Sequence, residues 1–467
     1  MWKWDDSSDR LSRATWGDAG DRDPSDRDPS VIPSEIRDPR AASAETRGDV
    51  PVATPWTLRA IYAALALSTA SMAPFVPVIL KSHGLDPAAI GVVAALGALS
   101  TMIVVPVWGH LADAVVGRTR AFRIGLIIAS GVAFGLLANP PILVVAALLA
   151  SFTVWSNLFL GLADATAMSE LPAPERQYGA LRAYASLAFT IGIVTVGFLY
   201  SWAGYGAAPV AFLVWMASLL LLVGRMPDRR LEWTVRTPSR KAGGVKPVRF
   251  GSPGRAMAVQ PRLWVILVVF GLAFAGLQGA GTFVGIRIVE LGGKPSDVAL
   301  SFGVSALFEV PGLMAAGWLG RRIGLRWLFV TSLVLYGLCV ASWGILPSAL
   351  AINATRLVTG LCYGSLLATR VLMVPRLLPR SLQATGQVLF QAATQGFGAV
   401  VGSVIGGVIY GSVGPTFSFA AAGCVLIAGG LASWFVLTGP VGGRLAARGS
   451  SAFEMGEPSG GSRGASA

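Results

Sequence analysis

Long apolar runs fill the sequence between residues 57 and 437, and they restrict the fold more than any other feature. Each run is about 20 residues long, the length that a helix needs to cross the hydrocarbon core of a bilayer. Charged residues make up 13% of the chain, about half the proportion that is usual in soluble domains. The alternating strands of a membrane β-barrel are not evident. The sequence therefore predicts an all-α membrane protein.

We predict twelve membrane spans and number them in chain order. They lie at 57–80, 88–108, 121–138, 142–165, 180–200, 207–224, 262–289, 298–319, 327–345, 349–372, 383–410 and 415–437. The segment from Arg225 to Arg262, between spans 6 and 7, contains ten Lys and Arg residues and two acids. Because positively charged loops stay in the cytoplasm, this segment and both termini are predicted to be cytoplasmic, in a bacterial inner membrane. The net charge of +13 is then a topology signal, and no nucleic-acid partner is predicted.

Five regions of the chain follow from this pattern. Residues 1–50 are rich in Asp, Arg, Ser and Pro and are predicted to form a disordered polar tail. Residues 51–224 and 262–438 are predicted to be two six-helix bundles, with a basic linker at 225–261 and a second disordered tail at 439–467. The motif Gly109-His-Leu after span 2 recurs as Gly317-Trp-Leu after span 8. Repeated halves predict a site at their interface, near the middle of the membrane.

The loop after span 2 resembles the loop 2–3 signature of the major facilitator superfamily. The residues that match are Gly109, Leu111, Asp113, Gly117, Arg118 and Arg120, whereas Ala114 replaces a basic residue and one extra residue precedes Gly117. Residues 162–170, 178–192 and 381–414, together with Glu309-Val-Pro311, are similar to one branch of this superfamily. That branch contains proton symporters that resemble 3-phenylpropionate permease and lactose permease.

This resemblance implies the major facilitator fold, in which twelve transmembrane helices form two pseudo-symmetric six-helix bundles. The bundles would expose a central cavity to each side of the membrane in turn, and spans 1, 4, 7 and 10 would provide most of its lining. The resemblance also implies that Gly109, Asp113, Gly117, Arg118 and Arg120 take part in gating. Asp113 would hold the halves together near Ser381, at the start of span 11, where a helix N-terminus favours an anion.

Glu309 is the carboxylate that lies nearest the middle of a predicted span. A charge at that depth costs about 3 kcal/mol or more, and such groups are usually functional. Arg356 is interpreted as the one basic residue well inside a span, and counting from Asp297 and Ser348 predicts comparable depths for Glu309 and Arg356. A carboxylate beside a cation can exchange between an ionised, paired form and a protonated form. The pair is predicted to couple protons and bind substrate; a static ion pair that fixes helix packing is the alternative.

Polar side chains recur at helical spacing on spans 4, 7, 10 and 11, which predicts polar faces on these helices. The candidates for lining a substrate cavity are Asn157, Gln278, Thr282, Asn353, Gln387, Gln391 and Gln395. Hydrogen bonds between helices are the alternative explanation for each of them. Asp164 and Arg182 flank the loop between spans 4 and 5. They are predicted to form a gating ion pair with each other or with Arg118, and a surface salt bridge of small energy is the alternative.

The reactive residue types are too scattered to predict an enzyme. The three cysteines lie in separate apolar runs, and no catalytic triad or metal-ligand spacing occurs within the spans, so no cofactor or metal is predicted. The favoured function is proton-coupled import of a small organic acid or sugar by a monomer in the lipid bilayer. A proton-driven efflux antiporter of the same fold is the alternative. A membrane sensor without transport activity is less favoured, because no output domain is evident.

Overall fold

The structure is a computed structural model that describes residues 55–138, 140–171, 174–224, 253–260, 262–379 and 382–437. The predicted tails and most of the predicted linker lie outside these residues. Within the first half, the long helices are Pro55–Met72, Val76–Ser82, Pro87–Leu111, Arg118–Leu137, Ile142–Glu170, Pro174–Ala203 and Ala208–Gly224. Within the second half, they are Leu263–Glu290, Pro295–Arg322, Leu325–Ser342, Ala349–Leu377, Gln383–Gln391, Gly398–Ser412 and Pro415–Val436, and a short helix, Pro253–Val259, precedes them.

Twelve helical segments of the described chain are long and apolar enough to span a membrane, from Trp56–Ser82 to Pro415–Val436. The twelve predicted spans are therefore confirmed by length and composition. Their ends agree with the prediction to within three residues; span 2, for example, ends at Leu111 where residue 108 was expected. The shifts occur at the polar flanks, where hydropathy changes gradually and a helix continues beyond the apolar run.

Some spans contain irregular turns that alter which side chains share a face. A 3-10 turn, Ala73–Phe75, interrupts span 1 beside Pro74 and Pro77. Wider π-helical turns occur at Ala112–Val116, directly after span 2, and at Ala392–Phe397, inside span 11. An extra residue in a turn rotates the helix that follows, and such turns are frequent at functional sites.

Because the number of antiparallel spans is even, the first span begins and the last span ends at the same side of the molecule. We call this side the basic end, because the loops after spans 2, 4, 8 and 10 lie there. The other side is the short-loop end. At the basic end, Gly117 and Gly324 begin spans 3 and 9 with φ values of 92° and 86°, a conformation that favours glycine. These two glycines belong to the two copies of the repeated loop motif, so the repeat has a common backbone geometry.

The helices pack as two six-helix bundles that meet along two seams. Span 2 packs against span 11, and span 5 packs against span 8. In the first seam, a Cβ on Gly91 would lie 3.2 Å from the Cα of Gly407. In the second seam, the backbone N–H of Ser296 donates to Ser201 Oγ at 2.9 Å. These contacts lie at the short-loop end, so the bundles are joined there.

Candidate functional site

Spans 8 and 10 run in the same direction, and hydrogen bonds set their register. The Asn353 Nδ2 group donates to the Asp297 carbonyl at 3.1 Å, and Arg356 Nε donates to the Ser301 carbonyl at 3.2 Å. Each bond joins residues that are 55 or 56 positions apart. This register decides which residue of span 10 lies opposite Glu309.

Glycines bring the same two helices into close backbone contact. A Cβ on Gly364 would lie 2.8 Å from the backbone nitrogen of Leu313 and would also clash with the backbone of Glu309. Glu309 is therefore level with Gly364, and Arg356 is level with Ser301. Eight residues of helix separate Ser301 from Glu309, a distance of ~12 Å along the axis. The predicted equal depth of Glu309 and Arg356 is not observed.

Arg356 lies in an aromatic environment toward the short-loop end. Its side chain is 4% exposed, and its guanidinium lies 5.3 Å from the ring centres of both Phe302 and Trp343. The described residues provide no carboxylate partner for it, and its Nη1 atom has no hydrogen-bond partner among them. The predicted ion pair with Glu309 is thus absent from the described structure. Arg356 instead joins spans 8 and 10 within one bundle.

Among the described residues, Arg182, which belongs to span 5 of the other bundle, is the cation within electrostatic range of Glu309. Arg182 Nη1 also lies 4.0 Å from Asp164 Oδ1, so the predicted contact between these two residues is present. The side chains of Arg182 and Asp164 are 45% and 32% exposed. The half-buried Glu309 and Asp164 are therefore both within the influence of one partly exposed guanidinium.

Two tyrosines surround Asp164 near the basic end. The Tyr62 hydroxyl of span 1 donates to Asp164 Oδ1 at 2.5 Å. Burial, followed by the negative charge of Asp164, raises the pKa of Tyr178 to about 12. Tyr178 lies just before span 5. Because it stays protonated at neutral pH, it does not add a second negative charge beside Asp164.

A second polar group lies in the middle of the C-terminal bundle. Gln278 Nε2 of span 7 donates to Gln395 Oε1 at 2.7 Å, and Gln395 Nε2 donates to the Tyr363 hydroxyl of span 10 at 3.3 Å. Gln395 lies in the π-helical turn of span 11. Tyr363 is within electrostatic range of Glu309. The three side chains therefore connect spans 7, 10 and 11 close to the central carboxylate.

The other predicted cavity residues differ in exposure and in hydrogen bonding. Asn157 is exposed on span 4, and Gln391 is exposed on span 11. Asn353 is 4% exposed and is bonded to span 8, so it lies away from an open path. The Gln387 amide donates to a carbonyl of span 10, and Thr282 donates to the Gln278 carbonyl. For these last three residues, hydrogen bonding within the bundle accounts for the polar side chain.

The predicted gating loop is described only in part. Gly117 adopts the positive φ given above, and Arg118 Nη1 donates to the carbonyl of Ala165 on span 4 at 3.3 Å. Gly109 lies in the last turn of span 2, where nothing lies within 4 Å of an added Cβ, and Arg120 is exposed in the first turn of span 3. The backbone of Asp113 lies in the π-helical turn. Its side chain and Ser381 lie outside the described part, so the predicted latch remains a prediction.

Sequence reasoning missed Arg370 on span 10. The observed span continues to Pro375, so the interpretation of Arg356 as the one basic residue well inside a span is wrong. Arg370 is half-buried, and its Nη1 atom donates to Thr394 Oγ1 of span 11 at 2.8 Å. The available signal was its spacing of seven residues from Tyr363, which puts both on one helix face.

Comparison with known proteins identifies the family. The sequence model described as "MFS_1 like family" matches residues 56–421. The chain belongs to this family. Its fold class is confirmed, and the chain is a secondary transporter of the major facilitator type. The finer assignment to one branch of proton symporters stays a prediction.

Curated relatives are distant. The maltose permease of Geobacillus stearothermophilus is 25% identical over 327 residues, which cover 68% of this chain and 78% of that protein. The uncharacterized transporter YwbF of Bacillus subtilis (strain 168) is 21% identical over 342 residues, 71% of this chain and 81% of its own.

Solved structures confirm the fold at low identity. The nucleoside transporter NupG has a TM-score of 0.68 at 15% identity, and the match covers 82% of this chain and 98% of NupG. The peptide transporter POT has a TM-score of 0.64 at 14% identity, with 84% and 95% covered.

Proposed function

We propose that this transporter imports a small polar organic solute together with protons, and that Glu309 is the proton-binding group. The observation that carries the proposal is the position of Glu309. It is half-buried in the middle of span 8, and Arg182 of the opposite bundle is within electrostatic range of it. An ionised group at such a depth costs several kcal/mol unless it has a partner, so its presence favours a functional role.

Competition for Arg182 supplies a physical basis for coupling. When Glu309 is ionised, it attracts Arg182 across the seam between spans 5 and 8 and favours the approach of the two bundles. When Glu309 is protonated, this attraction is lost, and Arg182 interacts with Asp164 in its own bundle. Because a ligand shifts a two-state equilibrium only through different affinities for the two states, proton binding at Glu309 would change the balance between the access states.

The contacts between the bundles support an opening toward the cytoplasm in this conformation. The bundles are in contact at the short-loop end, through Ser201 with Ser296 and through Gly91 with Gly407. The basic loops support a cytoplasmic location for the opposite end. The conformation is then closed to the outside, with Asp164 and Arg182 on the cytoplasmic side of Glu309.

The polar group Gln278, Gln395 and Tyr363 is the proposed solute contact. It offers amide and hydroxyl groups that both donate and accept hydrogen bonds. The distant relative named as a maltose permease supports a solute with several hydroxyl groups. The predicted alternative, efflux, passes through the same conformation.

Transport by Glu309→Gln in proteoliposomes tests this proposal. The solute is one that stabilises the purified protein against heat, supplied in radiolabelled form. We expect uptake driven by a pH gradient to fall to the level of empty liposomes, whereas counterflow exchange, which needs no proton gradient, persists. Glu290→Gln is the matched control, because Glu290 lies at the end of span 7 and accepts a hydrogen bond from Tyr410 within the same bundle. Equal pH-driven uptake by Glu309→Gln and wild type would refute the proposal.

A further inference from the structure

We propose that Arg370 binds an anionic group of the transported solute, and that this solute is a monoanionic organic acid carrying further hydrogen-bonding groups. The inference rests on the proposed function, because it concerns the same central site. It adds the charge of the solute, which the relatives do not indicate.

Among the described residues, the contacts of Arg370 leave most of its hydrogen-bonding capacity unused. Thr394 Oγ1 accepts one bond from Arg370, and this hydroxyl in turn donates to the Phe390 carbonyl at 2.7 Å. Thr394 is therefore a fixed, neutral acceptor that orients the guanidinium. No carboxylate of the described residues is ion-paired with Arg370. A guanidinium has five N–H donors in a planar fork, so a side that is free of protein acceptors suits bidentate binding of a carboxylate.

The register of the helices puts Arg370 level with Arg182. Arg370 lies six residues after Gly364 on span 10, and Ala315 lies six residues after Glu309 on span 8. Because Gly364 is level with Glu309, Arg370 is level with Ala315. On the other side, Gly303 of span 8 packs against Ile193 of span 5. Continuing that antiparallel register brings Arg182 level with Ala315 as well. The two arginines, one from each bundle, thus lie at one depth, ~9 Å toward the basic end from Glu309.

The polar contacts proposed for the solute begin directly beside Arg370. Tyr363 is two helical turns away on the same face of span 10, and it is within electrostatic range of both Glu309 and Arg370. The Tyr363 hydroxyl accepts from Gln395, which accepts from Gln278. A solute with its acidic group at Arg370 would therefore present its hydroxyl or amide groups to Tyr363 and the glutamines.

The charges of the site favour a monoanion. Asp164 and Arg182 neutralise each other at 4.0 Å, and Arg356 lies elsewhere, among aromatic rings. With Glu309 ionised, the four side chains Asp164, Arg182, Glu309 and Arg370 have a net charge of zero. With Glu309 protonated, their net charge is +1, and a monoanion restores neutrality. A proton and an acid would thus enter the site together, whereas a neutral solute would leave a positive charge in the membrane.

Thermal unfolding of the full-length protein in detergent tests this inference directly. The probes are matched pairs at pH 6 and constant ionic strength: glucuronate with glucose, gluconate with sorbitol, and lactate with 1,2-propanediol. We expect at least one acid to raise the unfolding temperature by about 3 °C or more at saturation, and its neutral partner to have no effect. Arg370→Gln should abolish this response. Arg370→Lys, which keeps the charge without the fork, should raise the half-saturating acid concentration about tenfold.

Two controls separate binding from helix packing. Thr394→Val removes the acceptor that orients Arg370, so the acid response should persist but need a higher half-saturating acid concentration. Arg356→Met removes a buried guanidinium away from the site and should also keep it. An acid response that survives in Arg370→Gln, or equal or absent responses to both members of every pair, would overturn the inference. An Arg370-dependent response in a protein without proton coupling would refute the proposed coupling and leave this inference intact.

Discussion

Span 8 presents two different interfaces, one to span 10 and one to span 5. Toward span 10, Gly360 and Gly364 bring the backbones together, and Asn353 and Arg356 bond to carbonyls of span 8. Toward span 5, the contacts involve small side chains near the short-loop end, such as Ser201 with Ser296. The first interface lies inside a bundle, and the second lies between bundles.

The difference explains why two intramembrane charges on neighbouring helices have different surroundings. Arg356 belongs to the interface within the bundle, where it is buried and held by a backbone carbonyl. Glu309 lies on span 8 of the same bundle, yet Arg182, the cation within its electrostatic range, is across the seam. Burial in a packed bundle favours a fixed role, whereas a position at the edge of a seam allows the partner to change. A charge in a membrane helix is therefore interpreted best from the helix that it faces.

Locking the seam should have the largest effect on transport. In a chain whose free cysteines Cys339, Cys362 and Cys424 are replaced by serine, Ser201→Cys with Ser296→Cys puts two thiols across the seam. Oxidation should form a disulfide and reduce transport to background, because the bundles can no longer separate at the short-loop end. Reduction with dithiothreitol should restore it.

Each single cysteine variant is the control for this experiment and should be insensitive to the oxidant. Full transport by a completely cross-linked sample would show that this seam does not open, and the contrast between the two interfaces of span 8 would then be lost.

Replacing Arg182, at the seam between the bundles, should affect transport much more than replacing Arg356, inside one bundle. Arg182→Gln removes the cation that acts on Glu309, and uptake driven by a pH gradient should fall more than tenfold, which corresponds to about 1.4 kcal/mol. Arg356→Met should change the pH dependence of the same uptake by less than about twofold, because a buried ionic group can often be replaced by an apolar one. The measurement is initial uptake in proteoliposomes over a range of imposed pH gradients. The reverse ranking would return the coupling role to Arg356.

The helices and their ends could be predicted because bilayer thickness and hydropathy act on every residue of a span. The contact between Asp164 and Arg182 could also be predicted, since a short loop joins their helices. The position of Glu309 relative to Arg356 could not be obtained in this way. Counting from the helix starts assumed that spans 8 and 10 begin at equal depth and face each other through their charged residues.

The packing of glycines against the backbone sets the register of spans 8 and 10 instead. Gly360 and Gly364 follow Arg356 at helical spacing on span 10, and they set a register in which Gly364, and not Arg356, faces Glu309. Arg370 lies near the end of predicted span 10, where a basic residue is typical of the membrane interface and does not indicate an intramembrane site. Gln395 lies in a π-helical turn, so regular helical spacing from Gln387 could not predict its contacts with Gln278 and Tyr363. These features depend on the helix that packs opposite, which the local sequence does not contain.

The smallest expected effect concerns the stability of the interface within the bundle. At Gly364, an added Cβ would meet the Leu313 nitrogen at 2.8 Å, so Gly364→Ala should lower the free energy of unfolding by about 1–3 kcal/mol through overpacking. At Gly131, in span 3, nothing lies within 4 Å of an added Cβ. Gly131→Ala should therefore leave stability unchanged or increase it by up to about 1 kcal/mol, because alanine favours a helix more than glycine. Equilibrium unfolding in mixed detergent micelles compares the two variants directly.

If Gly364→Ala is as stable as Gly131→Ala, spans 8 and 10 can shift to accept the methyl group. The register that separates Glu309 from Arg356 would then not be fixed by backbone contact, and the two charges could approach each other during transport.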